Sequence, residues 1–297
     1  DVGVHQIADI CCYIADGTES DYDINRANVM AHMQYKNISE CLDGISKLIS
    51  YLSRDVSDVE VSSGYPELKL PQNYAQAYDI RDFIQRLVDR ESFLEFHSND
   101  DLPLIVGFAL MAGNAVAIIS DNPNVNAGAQ TAHALGKFTR FNRICERFSI
   151  PIVELNDSPA FQPGSKQERL GIQGEGGRSL REECLGSVPK MAVTLRQNYG
   201  GRYIHANLKT LGPNREGLVC EGARVGVMGA EGAVGILYGK KLNALDPSER
   251  DAARQKFLTE YVEKSLNPET AVKLGYAKKL VSLDNLRVEL HEWIKSI

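Results

Sequence analysis

A strand–strand–helix pattern in the middle of the chain is the feature that most constrains the fold. Two apolar runs, at 104–110 and 116–119, flank a turn at Gly113 and Asn114 and predict a buried hairpin. An amphipathic pattern over 127–148 predicts a long helix, and the apolar residues at 152–155 predict the next strand. Strands and helices that alternate at this length are typical of a layered α/β domain.

Helical and strand patterns continue along the rest of the chain. Helices are predicted at 38–52, 79–88, 175–185, 200–208, 247–265 and 283–295, and strands at 190–195 and 223–227. Between the first two helices lies a polar stretch with Pro66 and Pro71, which predicts a linker. We therefore predict an appendage at 1–60 and a principal domain at 61–297.

Composition restricts the class of protein. The 297 residues carry a net charge of −6 and contain no basic stripe, which argues against a nucleic-acid-binding protein. Glycines interrupt the longest apolar run, 104–119, before it reaches the roughly 20 residues of a membrane helix. We therefore expect a soluble protein of the cytoplasm or of an organelle matrix. The first residue is Asp1, and we expect the chain to begin inside a longer product.

Several common catalytic patterns are missing. The six cysteines and six histidines show neither a CxxC pair nor metal-ligand spacing, so we predict free thiols and no metal site. Ser158 with His133 or His205 could suggest a serine hydrolase, but Ser158 precedes a proline and lies in no GxSxG elbow. The glycines at 171–177 lack the order of a nucleotide-binding loop.

Two segments place a strand end, a tight turn and a helix start together. They are 157–164 and 196–203, and the second contains Gly200 and Gly201. Backbone amides at a helix start are free to bind developing negative charge, so these glycines could belong to an oxyanion hole. They could instead only permit close packing of a helix, and the sequence leaves both interpretations open. Glu231 is similarly open between a functional acid and a helix cap.

Several segments agree in order and spacing with one known family. They are 78–81, 93–96, 105–109, 138–153, 157–164, 199–203, 227–234, 267–268 and 275–276. Together they resemble the carboxyltransferase subunits of biotin-dependent acyl-CoA carboxylases, especially the propionyl-CoA carboxylase beta type. The resemblance implies a crotonase-like (ClpP/crotonase) α/β fold with repeated β-β-α units. It also implies that 61–297 is the C-terminal, biotin-facing domain and that 1–60 is the tail of a CoA-binding crotonase domain with the start of the linker.

The resemblance assigns roles to residues at the two strand ends. The amides of Gly201 and Arg202 match the family's catalytic oxyanion hole for the ureido oxygen of biotin, and Ile204 matches a position that influences acyl length. The residues that match the biotin pocket are Pro159, Ala160, Phe161, Tyr199, Gly200 and Tyr203. Donors of this kind would stabilise the enolate-like biotin that is left when CO2 departs.

The resemblance also implies a cofactor and partners. The expected cofactor is biotin, carried covalently by a separate protein or domain, with no metal in this chain. The expected partners are a CoA-binding carboxyltransferase half, a biotin carboxyl carrier, biotin carboxylase and an acyl-CoA or acyl carrier protein thioester. We expect a hetero- or homo-oligomer, without nucleic acid or membrane.

Three positions depart from the family pattern. Ala160 stands where glycine is usual, Arg202 replaces a small alanine, and 173–177 replaces a more basic segment. Because backbone donors survive a change of side chain, the oxyanion role is still expected. Three alternatives stay open: a biotin-dependent decarboxylase subunit, a non-catalytic assembly half of a carboxylase complex, and a crotonase-type hydratase or hydrolase.

Overall fold

A computed structural model describes residues 10–14, 32–56, 64–98, 100, 102–206, 211–212 and 214–297. The strands are β1 Cys12–Ile14, β2 Met33–Tyr35, β3 Leu94–Phe96, β4 Leu104–Met111, β5 Asn114–Asp121, β6 Ile152–Ser158, β7 Lys190–Tyr199, β8 Arg215–Cys220, β9 Arg224–Gly226 and β10 Lys279–Val281. The helices are α1 Ile38–Ser53, α2 Ile80–Leu87, α3 Ala132–Phe148, α4 Ser165–Arg169, α5 Ile172–Leu185, α6 Gly200–Ala206, α7 Ala230–Asn243, α8 Pro247–Ser265, α9 Pro268–Lys273 and α10 Leu283–Ser296. Parts of the predicted appendage and linker, at 1–9, 15–31 and 57–63, lie outside the described residues, as does the end of the helix predicted at 200–208.

In the described residues, one mixed sheet of eight strands organises the fold. Its strand order is β10-β8-β7-β6-β5-β4-β3, and β9 pairs with the carboxyl-terminal end of β7. The pairs β3–β4 and β4–β5 are antiparallel, and the other pairs are parallel. Parallel neighbours end at the same edge of a sheet, so β6 and β7 finish side by side, where sheets of this kind bind ligands.

The predicted hairpin is confirmed, with its turn centred slightly earlier than expected. β4 and β5 pair along their whole length, up to Met111 opposite Asn114. The two turn residues, Ala112 and Gly113, have φ angles of 51° and 76°. Positive φ at both positions is typical of the type I′ turn, whose twist matches that of the flanking strands.

Alternate residues of β4 face two separate cores. Ile105 and Ala109 belong to a core that includes α2 and α10, whereas Val106 and Phe108 belong to a core that includes α1 and α3. Because both faces are covered, every residue of β4 is buried, and the strand lacks the polar alternation of a half-exposed sheet. The result is an α/β fold of three layers, and the layered α/β class predicted from the sequence is confirmed.

Some strands extend beyond the apolar runs that predict them. β6 continues to Ser158 and β7 to Tyr199, so that polar residues such as Asn156 and Asn198 lie in buried strand ends. β8 has no counterpart among the predicted strands. Helix α3 begins at Ala132, later than predicted, because the Thr131 side chain caps its first turn.

Truncation of Leu290 tests the core beneath α10. Leu290 is fully buried, whereas Val288 on the same helix is 54% exposed. We expect Leu290→Ala to lower the free energy of unfolding by about 2–5 kcal/mol, because it removes apolar contacts and leaves a cavity. The control, Val288→Ala, should change it by less than about 0.5 kcal/mol. Urea titration followed by circular dichroism measures both, and equal effects would contradict this packing.

Candidate active site

Two strand ends and one helix start form the candidate site. β6 ends at Ser158, which pairs with Asn198 near the end of β7, beyond a β-bulge. The chain then turns at Gly200, whose φ of 60° suits glycine, and α6 begins. The segments 157–164 and 196–203, which are separate in sequence, therefore meet at one edge of the sheet.

Phe161 packs directly against the first turn of α6. A Cβ at Gly201 would lie 3.0 Å from Cδ2 of Phe161, and a Cβ at Gly176 would lie 2.9 Å from its Cε2. Distances this short leave little room for a side chain at either position, so Gly201 permits close packing of α6 against Phe161. The amides of Gly201 and Arg202 nevertheless lie in the first turn, where a helix offers them no acceptor.

Hydrogen bonds fix the loop that follows β6. The amide of Gln130 donates to the carbonyl of Ala160 at 3.0 Å, and the amide of Gln162 donates to the carbonyl of Gln130 at 2.8 Å. The hydroxyl of Ser158 also donates to the Ala160 carbonyl, at 3.2 Å. Ala160, Phe161 and their neighbours are therefore held by backbone contacts that do not depend on the side chain of Ala160.

The Arg202 side chain anchors α6 to the sheet. Its guanidinium is buried and donates to Asp121 on β5 at 2.9 Å and to Glu154 on β6 at 2.5 Å. Sequence reasoning identified only the backbone amide of Arg202 and missed these two acids. The signal that could have revealed them is a carboxylate within or directly after an apolar strand, since such a carboxylate needs a buried partner.

The ion pairs continue across the sheet to β8. Lys190 lies 3.9 Å from Glu154 and bonds to Glu183, which also accepts from Arg215 at 3.0 Å. We call the following six buried residues the charge network: Asp121, Glu154, Glu183, Lys190, Arg202 and Arg215. Its three carboxylates and three cations balance. Burial raises the pKa of Asp121 to about 7, although the charge of Arg202 acts in the opposite direction.

His205 is a buried neutral ring behind the site. It packs edge-on against Phe161, with ring centroids 5.4 Å apart, and its Nε2 lies 3.4 Å from the Ser179 hydroxyl. Burial, and then the charge of Arg202, lowers the pKa of His205 to about 4. A ring that stays neutral and has no access to solvent supports Phe161, which agrees with the structural role predicted for the histidines.

Pro159 and Tyr199 line a cavity of about 690 Å³ between the strand ends and the α7–α8 pair. The opposite wall includes Leu258 and Val262 of α8. Tyr199 is buried, and burial raises its pKa to about 12, so its hydroxyl keeps its proton at neutral pH. The start of α6 follows Tyr199 directly, so the cavity and the free amides are adjacent.

Of the predicted site residues, Pro159 and Tyr199 line this cavity, whereas Tyr203 and Ile204 have other surroundings. Tyr203 packs edge-on against Tyr276, with ring centroids 5.8 Å apart, beside a small core that includes Val219 and Ala271. Ile204 is 51% exposed. The structure therefore brings together Pro159, Ala160, Phe161, Tyr199, Gly200 and Gly201, and it places Tyr203 and Ile204 on the other sides of α6.

Two negative findings concern the part of the chain that the structure describes. In that part, no group of three histidine, cysteine, aspartate or glutamate side chains could hold a metal ion. Among the described helices, none is long and apolar enough to cross a membrane.

Comparison with known sequences gives the family. The profile of the carboxyl transferase domain matches residues 22–295, so the chain belongs to this family. It is 33% identical over 271 residues to the carboxyltransferase subunit of propionyl-CoA carboxylase from Haloferax mediterranei, covering 88% of this chain and 52% of that protein. It is 32% identical over 252 residues to the alpha subunit of methylmalonyl-CoA decarboxylase from Propionigenium modestum, covering 81% and 48%. The chain thus spans about half the length of these relatives.

Comparison with solved structures gives the fold. The chain matches a structure of the transcarboxylase 12S hexamer, with methylmalonyl-CoA and methylmalonic acid bound, at a TM-score of 0.82 and 26% identity, covering 92% of this chain and 54% of that one. It also matches a single-chain, multi-domain long-chain acyl-CoA carboxylase at a TM-score of 0.76 and 20% identity, covering 91% and 27%, which is a likeness of fold alone. The predicted crotonase-like α/β fold and the resemblance to propionyl-CoA carboxylase carboxyltransferases are confirmed.

Loss of the Arg202 guanidinium should destabilise the protein strongly. Arg202→Met leaves Asp121 buried without its cation and Glu154 with only Lys190, 3.9 Å away, and we expect it to cost about 3–5 kcal/mol of unfolding free energy. Arg254 forms a comparable pair with Glu231, but both side chains are more than half exposed. Arg254→Met, the matched control, should cost less than about 1 kcal/mol. Urea denaturation measures the difference, and similar costs would show that the charge network does not anchor α6.

The depressed pKa of His205 predicts a stability change in acid. In the folded state His205 takes up a proton near its lowered pKa of about 4, whereas in the unfolded chain it does so near the ordinary pKa of 6.5. The resulting stability is complete above pH 6.5 and is lost as the pH falls towards 4. A shift of this size corresponds to about 3 kcal/mol. Between pH 7 and pH 4.5 the free energy of unfolding should therefore fall less for His205→Gln than for the wild type, as measured by unfolding titrations at the two pH values. An equal fall would show that His205 is not a buried neutral ring.

Proposed function

We propose that this chain is the biotin-facing half of a carboxyltransferase, which moves a carboxyl group between biotin on a carrier and an acyl thioester. The observation that carries the proposal is the start of α6, where the amides of Gly201 and Arg202 lack helical acceptors beside a cavity lined by Pro159 and Tyr199. Two relatives support it, because one is named as a carboxyltransferase subunit and the other as a decarboxylase subunit of CoA-thioester enzymes.

The residues around the cavity fit biotin. A volume of about 690 Å³ is in the range of small-molecule sites. Pro159, Leu258 and Val262 offer apolar walls, and the protonated hydroxyl of Tyr199 can donate a hydrogen bond. When bound, biotin would supply the carboxyl group and would take negative charge on its ureido oxygen as that group leaves.

The protein itself contributes electrostatics and positioning. The amides of Gly201 and Arg202 donate to an oxygen on which charge develops, and donors that are fixed beforehand need no reorganisation during the reaction. The ion pairs of the Arg202 guanidinium with Asp121 and Glu154 keep the helix, and so the donors, in place. Phe161 packs against Gly201 and covers that side of the helix start.

A complete enzyme of this kind would also contain a CoA-binding half. The chain spans about half of its relatives, so that half would come from another chain or from a further part of the same product. Biotin would arrive on a carboxyl carrier that a biotin carboxylase loads, and the thioester would be an acyl-CoA or an acyl carrier protein thioester. We propose a homo- or hetero-oligomer, supported by the transcarboxylase hexamer, in the cytoplasm or an organelle matrix.

A decarboxylase subunit is the second candidate. The decarboxylase relative is 32% identical and the carboxylase relative 33%, so sequence similarity favours neither direction of transfer. Both reactions would use the same donors at α6 and would differ in the fate of CO2. A hydratase has less support, because Asp121 and Glu154, the acids bonded to α6, are already engaged with Arg202.

Removal of one amide donor tests the proposed function. We expect biotin-dependent decarboxylation of malonyl-CoA or methylmalonyl-CoA by this chain together with its CoA-binding half, and none by the chain alone. Gly201→Pro removes the amide proton, and we expect kcat to fall by about 100- to 1000-fold, as for other oxyanion-hole donors. Release of CO2 under saturating biotin measures the rate.

Gly201→Ala is the matched control for this test. It keeps the amide but places a Cβ 3.0 Å from Phe161, so it reports the steric effect alone. We expect a clearly smaller loss of kcat for alanine than for proline. Equal losses would show that the amide is not the catalytic donor, and an inactive but folded wild-type pair would favour the assembly role.

A further inference from the structure

The lining of the candidate cavity includes a cation, Arg224. Arg224 on β9 lines the same cavity as Pro159 and Tyr199. Among the residues that the structure describes, no carboxylate forms an ion pair with its guanidinium. Of the two acids in the lining, Glu231 is paired with Arg254 at 2.6 Å, and Glu263 is exposed.

Aromatic residues hold this cation in place. The Arg224 guanidinium lies over the ring of Tyr74, 4.0 Å from the ring centroid. The Tyr74 hydroxyl in turn donates to the carbonyl of Gly222, two residues before Arg224. The Arg224 guanidinium also donates a hydrogen bond to the Tyr199 hydroxyl, and both its charge and this bond oppose the effect of burial on the pKa of Tyr199. The ring of Tyr74 thus holds one flat face of the guanidinium, and no carboxylate among the described residues forms an ion pair with it.

An arginine held in this way is suited to an anionic ligand. A guanidinium stacked on a ring is weakly hydrated, and its parallel N–H groups match the two oxygens of a carboxylate. An unpaired cation beside a cavity gains most from a ligand of opposite charge, whereas a neutral ligand leaves it unpaired. Of the groups that take part in carboxyl transfer, the free carboxylate of a malonyl-type thioester and the N-carboxylate of carboxybiotin both meet this requirement, and titration without biotin distinguishes them.

We propose that Arg224 is a specificity-determining residue that binds the free carboxylate of the acyl thioester, so that the site prefers the carboxylated thioester to its decarboxylated product. The inference rests on the proposed function, and it adds the residue that recognises the group in transfer. Tyr74 is the positioning residue that holds Arg224 through its ring.

Calorimetric titration of two thioesters tests this inference without biotin. Malonyl-CoA and acetyl-CoA differ by the carboxylate, and each is titrated into this chain assembled with its CoA-binding half. For Arg224→Gln we expect the Kd of malonyl-CoA to rise by roughly 10- to 100-fold, which is the effect of losing charge-assisted hydrogen bonds. The Kd of acetyl-CoA should stay unchanged. Arg224→Lys keeps the charge without the planar fork and should give an intermediate rise.

Arg143→Gln is the control, because it removes a cation of α3 that is paired with Glu182, and neither residue lines the cavity. It should change neither Kd, and melting curves of all variants check that the fold is kept. The inference is overturned if Arg224→Gln weakens both thioesters equally or leaves both unchanged. In those cases the proposed function stands, because the wild type still binds thioesters. If neither thioester binds the wild-type assembly, the proposed function fails and the inference fails with it.

Discussion

The buried ion pairs of Arg202 are the constraint on which the site depends. Taking charged groups out of water costs several kcal/mol each, and the attraction between partners offsets this only when the geometry is good. Arg202 meets that condition, because its Nε donates to Asp121 and its Nη1 donates to Glu154. The contacts tie a helix of seven residues to the two strands β5 and β6. The helix cannot shift without exposing three charges to an apolar interior, so the amides in its first turn have a fixed position.

A second set of polar contacts ties the linker to the same edge of the sheet. Arg196 on β7 donates to Asp157 on β6 at 2.7 Å and to the carbonyls of Asn73 and Gln76 at 3.0 and 3.2 Å. The ring of Tyr78 covers one face of the Arg196 guanidinium. These contacts explain why β6 and β7 can continue as polar strands, since the linker supplies acceptors that solvent would otherwise provide. The walls of the cavity are therefore set by residues far apart in sequence.

This separation limits what the sequence alone can predict. Apolar periodicity is local, so it predicted the β4–β5 hairpin and helix α10. The partners of Arg202 are 48 and 81 residues away, and no local pattern connects them. Apolar patterning likewise ended β6 at 155 and β7 at 195, because the polar residues that follow look like loop unless their partners are known. The resemblance to a family predicted which segments meet, but it did not predict the charges that hold them together.

The positions of the side chains show what the departures from the family pattern do to the site. Arg202 differs from the usual small residue, yet its side chain enters the interior and leaves its amide in the first turn. Ala160 differs from the usual glycine, but its carbonyl is held by Gln130 and Ser158 through contacts that any residue could make. Neither change removes a donor from the site. Differences in substrate choice are therefore better sought across the cavity, where Arg224 and the α7–α8 pair face the strand ends.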